Sequence, residues 1–373
     1  MIRFILFFLV CNFVFSQSYY VYVASESDDT VSLLKFENNE INELERITVG
    51  TYPTEIEGPH GITVDPSGKF WYLSLAHGNP FGKLVKYSTE SNEVVDETTL
   101  GLFPASMQVS TTTGFLYCVN FNLHGSMKPS TVSVVDPVTM TEITTITTGS
   151  MPHGSRISPD GLYQYSVAMM SGELFEIDAL GLEVSRTLDL ESKMMKKDGM
   201  KSMEGMKSMD GMKSMDGMKS MDGMKHSMVK PTWVIPHPKQ NLAYIAGNGS
   251  DEVIEVDLDA WKVSDRFKTG KGPYNLEISP DGKLLIGTIK SEGKTAIWNL
   301  DDKKLLGEIK NTTSVSHGIA ISADSKYAFV SVEGIGGEPG IVDVISLENY
   351  EIISSVEVGK QAGGIAFWKQ DNL

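Results

Sequence analysis

Residues 58–74 read GPHGITVDPSGKFWYLS, and this stretch decides the fold of the 373-residue chain. Apolar residues alternate with others on both sides of the DPSG segment. In that segment proline presets φ, aspartate bonds the local backbone and glycine accepts a positive φ. Alternation with a period of two predicts β-strands, and the turn between them predicts a β-hairpin.

Five further stretches repeat this pattern. They are LFPASMQVSTTTGFLYCV from residue 102, SMPHGSRISPDGLYQYSV from 150, KPTWVIPHPKQNLAYIAG from 230, KGPYNLEISPDGKLLIGT from 271 and TSVSHGIAISADSKYAFVS from 313. Each unit holds four short strands, and the period is about 40–48 residues, which is typical of the blades of a β-propeller.

The two ends of the chain predict the number of blades. YYVYVAS, from residue 19, corresponds to the second strand of a unit, and QAGGIAFWK, from residue 361, corresponds to the first. We expect the C-terminal strand to complete the N-terminal blade, which closes the ring and leaves no open sheet edge. The sequence therefore predicts an all-β, seven-bladed β-propeller over residues 17–373.

The recurring string (P)-H-G-I-x-(V/I)-(S/D)-P-(D/S)-G-K-x-x-Y-(V/L)-S resembles the YVTN-type repeat of seven-bladed propellers. The resemblance covers roughly residues 19–370. That family includes YncE-like proteins, lactonase-like enzymes, haem-binding domains and scaffolds. The resemblance therefore implies the fold and leaves the function open.

The first sixteen residues, MIRFILFFLVCNFVFS, have the pattern of a secretory signal peptide. Arg3 supplies the positive start, the apolar run to Phe15 is too short to span a bilayer, and Ser16 suits cleavage before Gln17. We expect a periplasmic or secreted protein. No later run has the 18 apolar residues of a membrane span, so none is expected after cleavage.

Charge and cysteine content narrow the classes of function. The net charge of −16 argues against nucleic acids and anionic membranes as partners. After cleavage only Cys118 remains, so no intramolecular disulfide can form. Its apolar neighbours in FLYCVNF predict a core residue rather than a nucleophile.

Residues 191–230 interrupt the repeat with ESKMMKKDGMKSMEGMKSMDGMKSMDGMKSMDGMKHSMVK. Twelve of the 19 methionines lie here, and from Met200 to Met224 every third residue is Met. A glycine in every six residues opposes a helix. Residues 191–228 also lack the aromatic and β-branched residues that would favour a strand. We therefore predict a flexible Met-rich insert within the propeller.

The insert predicts copper binding, because uncharged, polarizable thioethers select Cu(I) over Zn²⁺ or Mg²⁺. Met-x-x-Met arrays resemble those of periplasmic copper-handling proteins, so the expected partners are a metal ion and another periplasmic protein. The candidate ligands are His226, Met200, Met203, Met206, Met209, Met212, Met215, Met218, Met221, Met224 and Met228. The alternative is neutral expansion of a short repeat in a tolerant loop.

The repeat also predicts where the histidines lie. We label the strands of a blade A to D from the axis outward. His60, His153 and His317 occupy one repeat position just before strand A, and we expect them at the mouth of the central channel. His77 and His124 fall in B–C loops on the same face, and the Met-rich insert leaves from a D–A connection there. His237, in an A–B turn, is expected to face away.

Imidazole is a common ligand of copper and zinc, so the three channel histidines could form a metal site, and His77 and His124 on the same face are further candidate ligands. Nitrous-oxide reductase is similar in holding copper on histidines of a seven-bladed propeller. The present chain has no cysteine-rich copper domain, which argues against that reaction. The alternative is structural, because a ring nitrogen can bond the backbone of a neighbouring blade.

Two further functions stay open. A lactonase-like hydrolase would use residues such as Arg156 or Glu333, although a solvated or ion-paired residue is the favoured interpretation of each. A non-catalytic protein-interaction scaffold would need no metal. The chain has no nucleophile elbow, phosphate loop or C-x-x-C-H haem motif, so sequence assigns no catalytic residue and leaves open whether it is an enzyme.

Overall fold

Alternating apolar residues and glycine-containing turns produce seven four-stranded antiparallel sheets. The computed structural model describes residues 17–51, 54–77, 81–123, 125, 127–191 and 226–372. The predicted signal peptide, most of the Met-rich insert and His124 lie outside these residues.

The strands follow one another in blade order. Blade 1 contains β28 (Ala362–Asn372), β1 (Gln17–Ser25), β2 (Thr30–Glu37) and β3 (Glu40–Thr48). Blade 2 contains β4 (Pro59–Val64), β5 (Phe70–Leu75), β6 (Lys83–Ser88) and β7 (Val94–Thr99). Blade 3 contains β8 (Pro104–Val109), β9 (Leu116–Asn120), β10 (Pro129–Asp136) and β11 (Thr141–Ser150). Blade 4 contains β12 (Pro152–Ile157), β13 (Tyr163–Ala168), β14 (Glu173–Asp178) and β15 (Glu183–Asp189). Blade 5 contains β16 (Pro231–Pro236), β17 (Leu242–Gly247), β18 (Glu252–Asp257) and β19 (Lys262–Lys268). Blade 6 contains β20 (Pro273–Ile278), β21 (Leu284–Ile289), β22 (Lys294–Asn299) and β23 (Leu305–Lys310). Blade 7 contains β24 (Ser316–Ile321), β25 (Tyr327–Val332), β26 (Gly340–Ser346) and β27 (Glu351–Val358).

The first strands of the blades form a closed ring around the axis. Contacts run from β28 to β4, β8, β12, β16, β20 and β24 and back to β28. The C-terminal strand pairs with β1 from Gln17 opposite Asn372 to Ser25 opposite Ala362. This confirms the predicted seven-bladed propeller and its closure by a strand from the far end of the chain. The described residues contain a single helical turn, Lys290–Glu292, and no helix able to cross a membrane.

The predicted DPSG hairpin turn is confirmed in blade 2. One carboxylate oxygen of Asp65 accepts the backbone N–H groups of Lys69 and Phe70 at 3.0 and 2.9 Å. Gly68 has φ of 70°, a conformation that glycine adopts without strain. Its carbonyl accepts the indole N–H of Trp368 at 2.9 Å, so the turn also joins blade 2 to the strand that closes the ring.

Aromatic side chains pack between neighbouring blades. Tyr22 of blade 1 stacks on Trp71 of blade 2 with ring centres 5.1 Å apart, and Trp71 stacks on Tyr87 at 3.8 Å. The buried side-chain oxygen of Asn92 accepts hydrogen bonds from the Tyr22 hydroxyl and the Trp71 indole. Each blade therefore contributes one face to the core shared with its neighbour.

Cys118 lies in β9 and is fully buried, as the sequence predicts for a core residue. Burial raises the pKa of its thiol to about 12. Because the thiolate is the reactive form, we expect the native chain 17–373 to react with a disulfide reagent at pH 8 at least about a hundredfold more slowly than the unfolded chain. Thiol labelling with and without denaturant measures this ratio, and rapid labelling of the native chain would contradict the buried position.

Candidate functional site

The candidate site is the mouth of the axial channel, where the second residue of each inner strand lies. In β4 the register shifts between Pro59 and Ile62, so the residues between them form a bulge, and the other six inner strands shift at the same point. Bulges change the direction of side chains. We call these second residues the mouth positions: His60, Ala105, His153, Thr232, Tyr274, His317 and Gly363.

Glu26, in the loop after β1, binds two histidines of blade 2. One carboxylate oxygen lies 2.8 Å from Nδ1 of His60, and the other lies 2.9 Å from Nε2 of His77. Burial alone would raise the pKa of Glu26, but these hydrogen bonds outweigh it and hold that pKa well below its usual range. The bond to Glu26 also raises the pKa of His77. The pairing therefore fixes Nδ1 of His60 against a carboxylate.

His153 uses both ring nitrogens. Nδ1 lies 2.8 Å from the carbonyl oxygen of Thr232 in the next blade, and Nε2 lies 2.8 Å from the hydroxyl of Tyr274. Burial lowers the pKa of His153 to about 3, so the ring is neutral. A neutral ring that donates from Nδ1 and accepts at Nε2 satisfies both contacts. These bonds match the structural role that the sequence left open.

His317 is bonded differently. Its Nε2 lies 3.7 Å from a carboxylate oxygen of Glu333, beyond hydrogen-bond distance, and its buried Nδ1 has no hydrogen-bond partner in the described residues. Burial lowers the pKa of His317 well below its usual value. The same Glu333 oxygen accepts from Lys290 at 2.6 Å, and the Lys290 ammonium lies 4.1 Å from the centre of the Tyr274 ring.

The three mouth histidines form one cluster. The ring centre of His60 lies 6.0 Å from that of His317 and 6.5 Å from that of His153. Tyr274 fills the remaining side, 4.7 Å from His317 and 5.2 Å from His153. Within the part of the chain that the structure describes, no group of three or more His, Cys, Asp or Glu side chains has the arrangement of a metal site. Metal binding by these histidines stays a prediction.

An ion pair spans the channel below the histidines. Nη2 of Arg156 lies 2.6 Å from a carboxylate oxygen of Glu277, which is two blades away, and its guanidinium carbon lies 4.4 Å above the Trp233 ring. Arg156 lines both a cavity of about 40 Å³ under the histidines and a wider one of about 300 Å³ towards the opposite face. The pair therefore divides the channel into two parts.

The Met-rich insert begins and ends on the face that carries the mouth. Glu191 accepts a hydrogen bond from the backbone N–H of Met228, and the N–H of Ser227 donates to the carbonyl of Met170 in the B–C loop of blade 4. His226 and Met228 are exposed. The chain thus enters and leaves the insert at one point of this face. His124 and Met200, Met203, Met206, Met209, Met212, Met215, Met218, Met221 and Met224 lie outside the described residues.

His237 lies in the A–B turn of blade 5, on the face away from the mouth, as the sequence predicts. Its Nε2 lies 3.0 Å from the carbonyl of Gly282, and its Nδ1 accepts the backbone N–H groups of Lys239 and Gln240. This histidine joins the turns of blades 5 and 6, so it has a structural role.

Sequence reasoning missed Glu26, Lys290 and Glu277. Glu277 could have been found, because it stands three residues after Tyr274, and Arg156 stands three residues after His153 in the same repeat position. Opposite charges at one position of a ring of repeats indicate an ion pair across the axis. Glu26 and Lys290 lie in B–C loops, where the repeat gives no side-chain direction.

Comparison with known proteins supports the fold. Hydrazine synthase from Kuenenia stuttgartiensis is 19% identical with a TM-score of 0.59, over 81% of this chain and 80% of that one. A functionally unknown protein from Desulfotomaculum acetoxidans is 14% identical with a TM-score of 0.67, over 94% of this chain and 98% of that one. At these identities the likeness concerns the fold alone. No curated protein matches the chain.

A sequence profile gives a more direct assignment. The profile described as YNCE-like beta-propeller matches residues 105–356, which is more than half of the chain and includes most of blade 3 and all of blades 4 to 6. The match agrees with the repeat pattern, the seven sheets and the closed ring of inner strands. The chain therefore belongs to the YNCE-like beta-propeller family.

Proposed function

We propose that this protein is an exported copper-binding propeller. The methionines from Met200 to Met224 capture Cu(I), and the ion is passed to the histidines at the channel mouth. The transfer is an exchange of ligands without a change of oxidation state. Residues 1–16 direct export, and a second periplasmic protein exchanges copper with this face.

One observation carries the proposal. The chain enters and leaves the insert beside Met170, on the face where His60, His153 and His317 cluster. Thioethers prefer Cu(I), and imidazole is a borderline ligand that binds the same metal. A capture segment attached to the face of a second group of ligands makes transfer a short step within one molecule.

The electrostatics of the mouth also support a cation. Glu26 and Glu333 place two carboxylates beside the cluster, while His153 and His317 are held neutral by burial. A neutral imidazole is the form that binds a metal, because a protonated ring has no free lone pair. Two of the three rings are therefore uncharged, and the two carboxylates outnumber the Lys290 ammonium that is paired with Glu333.

Neither alternative function gains a specific observation. The two residues that the sequence offered for a lactonase-like enzyme are both in ion pairs, Arg156 with Glu277 and Glu333 with Lys290. An interaction scaffold remains compatible with the fold and predicts no metal binding, so the copper experiment separates it from our proposal.

The test is Cu(I) binding to the chain 17–373 in competition with a chromophoric chelator. A variant with the nine methionines from Met200 to Met224 changed to Gln keeps the length and charge of the insert but removes its thioethers. We expect several copper equivalents in the parent chain and the loss of all but about one in the variant. Equal stoichiometry in both chains would overturn capture by the methionines.

A further inference from the structure

We propose that His60 and His317 form a two-coordinate Cu(I) site across the gap left by Gly363, and that His153 is not a ligand. The choice of metal rests on the proposed function, whereas the choice of nitrogens rests on the geometry of the mouth. The sequence grouped the three histidines as equivalent, and their contacts separate them.

The first ligand is Nε2 of His60. Its Nδ1 lies 2.8 Å from the carboxylate of Glu26, and a neutral ring that donates from Nδ1 keeps its lone pair on Nε2. A histidine that binds a metal through one nitrogen commonly donates the other N–H to a carboxylate, which fixes the ring and strengthens the ligand. His60 already has this arrangement.

The second ligand is Nδ1 of His317, which is buried and has no hydrogen-bond partner in the described residues. Its Nε2 lies 3.7 Å from the Glu333 carboxylate, beyond hydrogen-bond distance, so this ring has no counterpart of the bond between His60 and Glu26. A buried polar atom without a partner is costly, and a bound metal ion would satisfy it.

Gly363 places no side chain at the mouth position between these two histidines. It occupies the mouth position of blade 1, which stands between His317 in blade 7 and His60 in blade 2. A Cβ atom at Gly363 would lie 3.6 Å from Nδ1 of His317, so this nitrogen borders the gap. No other mouth position between two histidines lacks a side chain.

The separation of the rings suits two ligands on one ion. With metal–nitrogen distances of about 2.0 Å, two imidazoles on opposite sides of an ion have ring centres about 6.3 Å apart. The centres of His60 and His317 are 6.0 Å apart, with the ring planes at 82°. The separation of His153 from His60, 6.5 Å, would also be compatible, but Thr232 and Tyr274 occupy both nitrogens of His153.

A pair of nitrogen ligands also explains why Cu(I) is the ion that fits. Cu(I) accepts two-coordinate geometry, whereas Zn²⁺ requires about four ligands. In the described residues no third His, Cys, Asp or Glu completes such a set. The mouth is therefore expected to select Cu(I) over Zn²⁺ by the number of ligands that it offers rather than by its charge.

The experiment counts copper in the chain that carries the nine Met→Gln changes and measures its X-ray absorption. We expect one equivalent, with the intense low-energy edge feature of two-coordinate Cu(I) and nitrogen scatterers only. His60→Gln and His317→Gln should each remove this equivalent. His153→Gln should retain it, and its loss there would overturn the assignment.

Gly363→Ala tests the gap while all three histidines remain. Its modest contact with His317 and the absence of a positive φ at Gly363 allow the chain to fold, and the added methyl group should weaken Cu(I) binding at least about tenfold. Gly337→Ala is the matched control, because a Cβ there meets nothing within 4 Å. Equal affinity in Gly363→Ala and the control would contradict the site.

The outcomes separate the two proposals. Several equivalents in the parent chain and none in the Met→Gln chain would support capture by the insert and refute the two-histidine site. One equivalent in both chains, lost in His317→Gln, would support the site and refute capture. No binding by the parent chain would refute both.

Discussion

Removal of residues 362–373 is expected to abolish the folded propeller. These residues form β28, which is the inner strand of blade 1 and contacts β1, β4 and β24. Ile365 packs in the core shared with blade 7, and Ala366 packs in the core shared with blade 2. Without the strand, the ring opens and β1 presents an unpaired edge. We expect the lost stability to be comparable with the free energy of unfolding of a typical folded domain, which is roughly 5–15 kcal/mol.

Circular dichroism and size-exclusion chromatography of the chain 17–361 measure this effect. The matched control is the chain 17–370, which loses only the end of β28 and keeps the pairing from Gln370 to Ala362. We expect the control to remain a folded monomer and the shorter chain to aggregate or to lose cooperative unfolding. A cooperative transition in the shorter chain, similar to that of the control, would show that the closing strand is dispensable.

Arg156→Met should destabilise the propeller by about 2–3 kcal/mol at neutral pH. The change leaves the Glu277 carboxylate inside the channel without its cation. Breaking a fully buried pair typically costs about 3–5 kcal/mol, and we expect less because the two side chains remain 18% and 17% exposed. Urea unfolding measures the difference. The double change Arg156→Met with Glu277→Leu should restore most of the stability, since it removes the unpaired charge.

The loss in Arg156→Met should also depend on pH. Burial raises the pKa of Glu277, while the neighbouring Arg156 lowers it without cancelling the rise. Removal of the arginine should therefore raise this pKa further. A carboxyl group with a raised pKa in the folded state favours folding below its unfolded pKa, and this benefit is lost as pH rises through the folded value. The deficit of the variant should therefore be smaller at pH 4.5 than at pH 7.5. A deficit independent of pH would contradict the role of the Glu277 charge.

The sequence predicts the fold well because the same pattern of strands and turns recurs from blade to blade. The DPSG turn, the alternation of strands and the incomplete units at the two ends were sufficient for the blade count and for the closure by β28. The repeat also predicts which histidines share the mouth, since equal positions in equal blades lie in one ring. His60, His153 and His317 therefore meet as expected.

The repeat could not predict what each histidine bonds. Equal positions have different neighbours: His153 meets Thr232 and Tyr274, whereas His317 borders Gly363. The decisive partner of His60 is Glu26, which lies in a B–C loop of another blade, 34 residues away in the chain. Loops vary in sequence between units, so the repeat does not predict where their side chains lie. The contact between His60 and Glu26 could therefore be found only from the structure.

The joined ends of the Met-rich insert have a consequence for how this protein can change in evolution. A hydrogen bond joins Glu191 and Met228, so we expect the blades on either side to stay in place when the number of residues between them changes. The entropy of closing a loop grows only with the logarithm of its length, and one more six-residue copy costs about 0.1 kcal/mol. Copies of M-K-S-M-D-G can therefore be gained or lost by replication slippage with almost no penalty in folding.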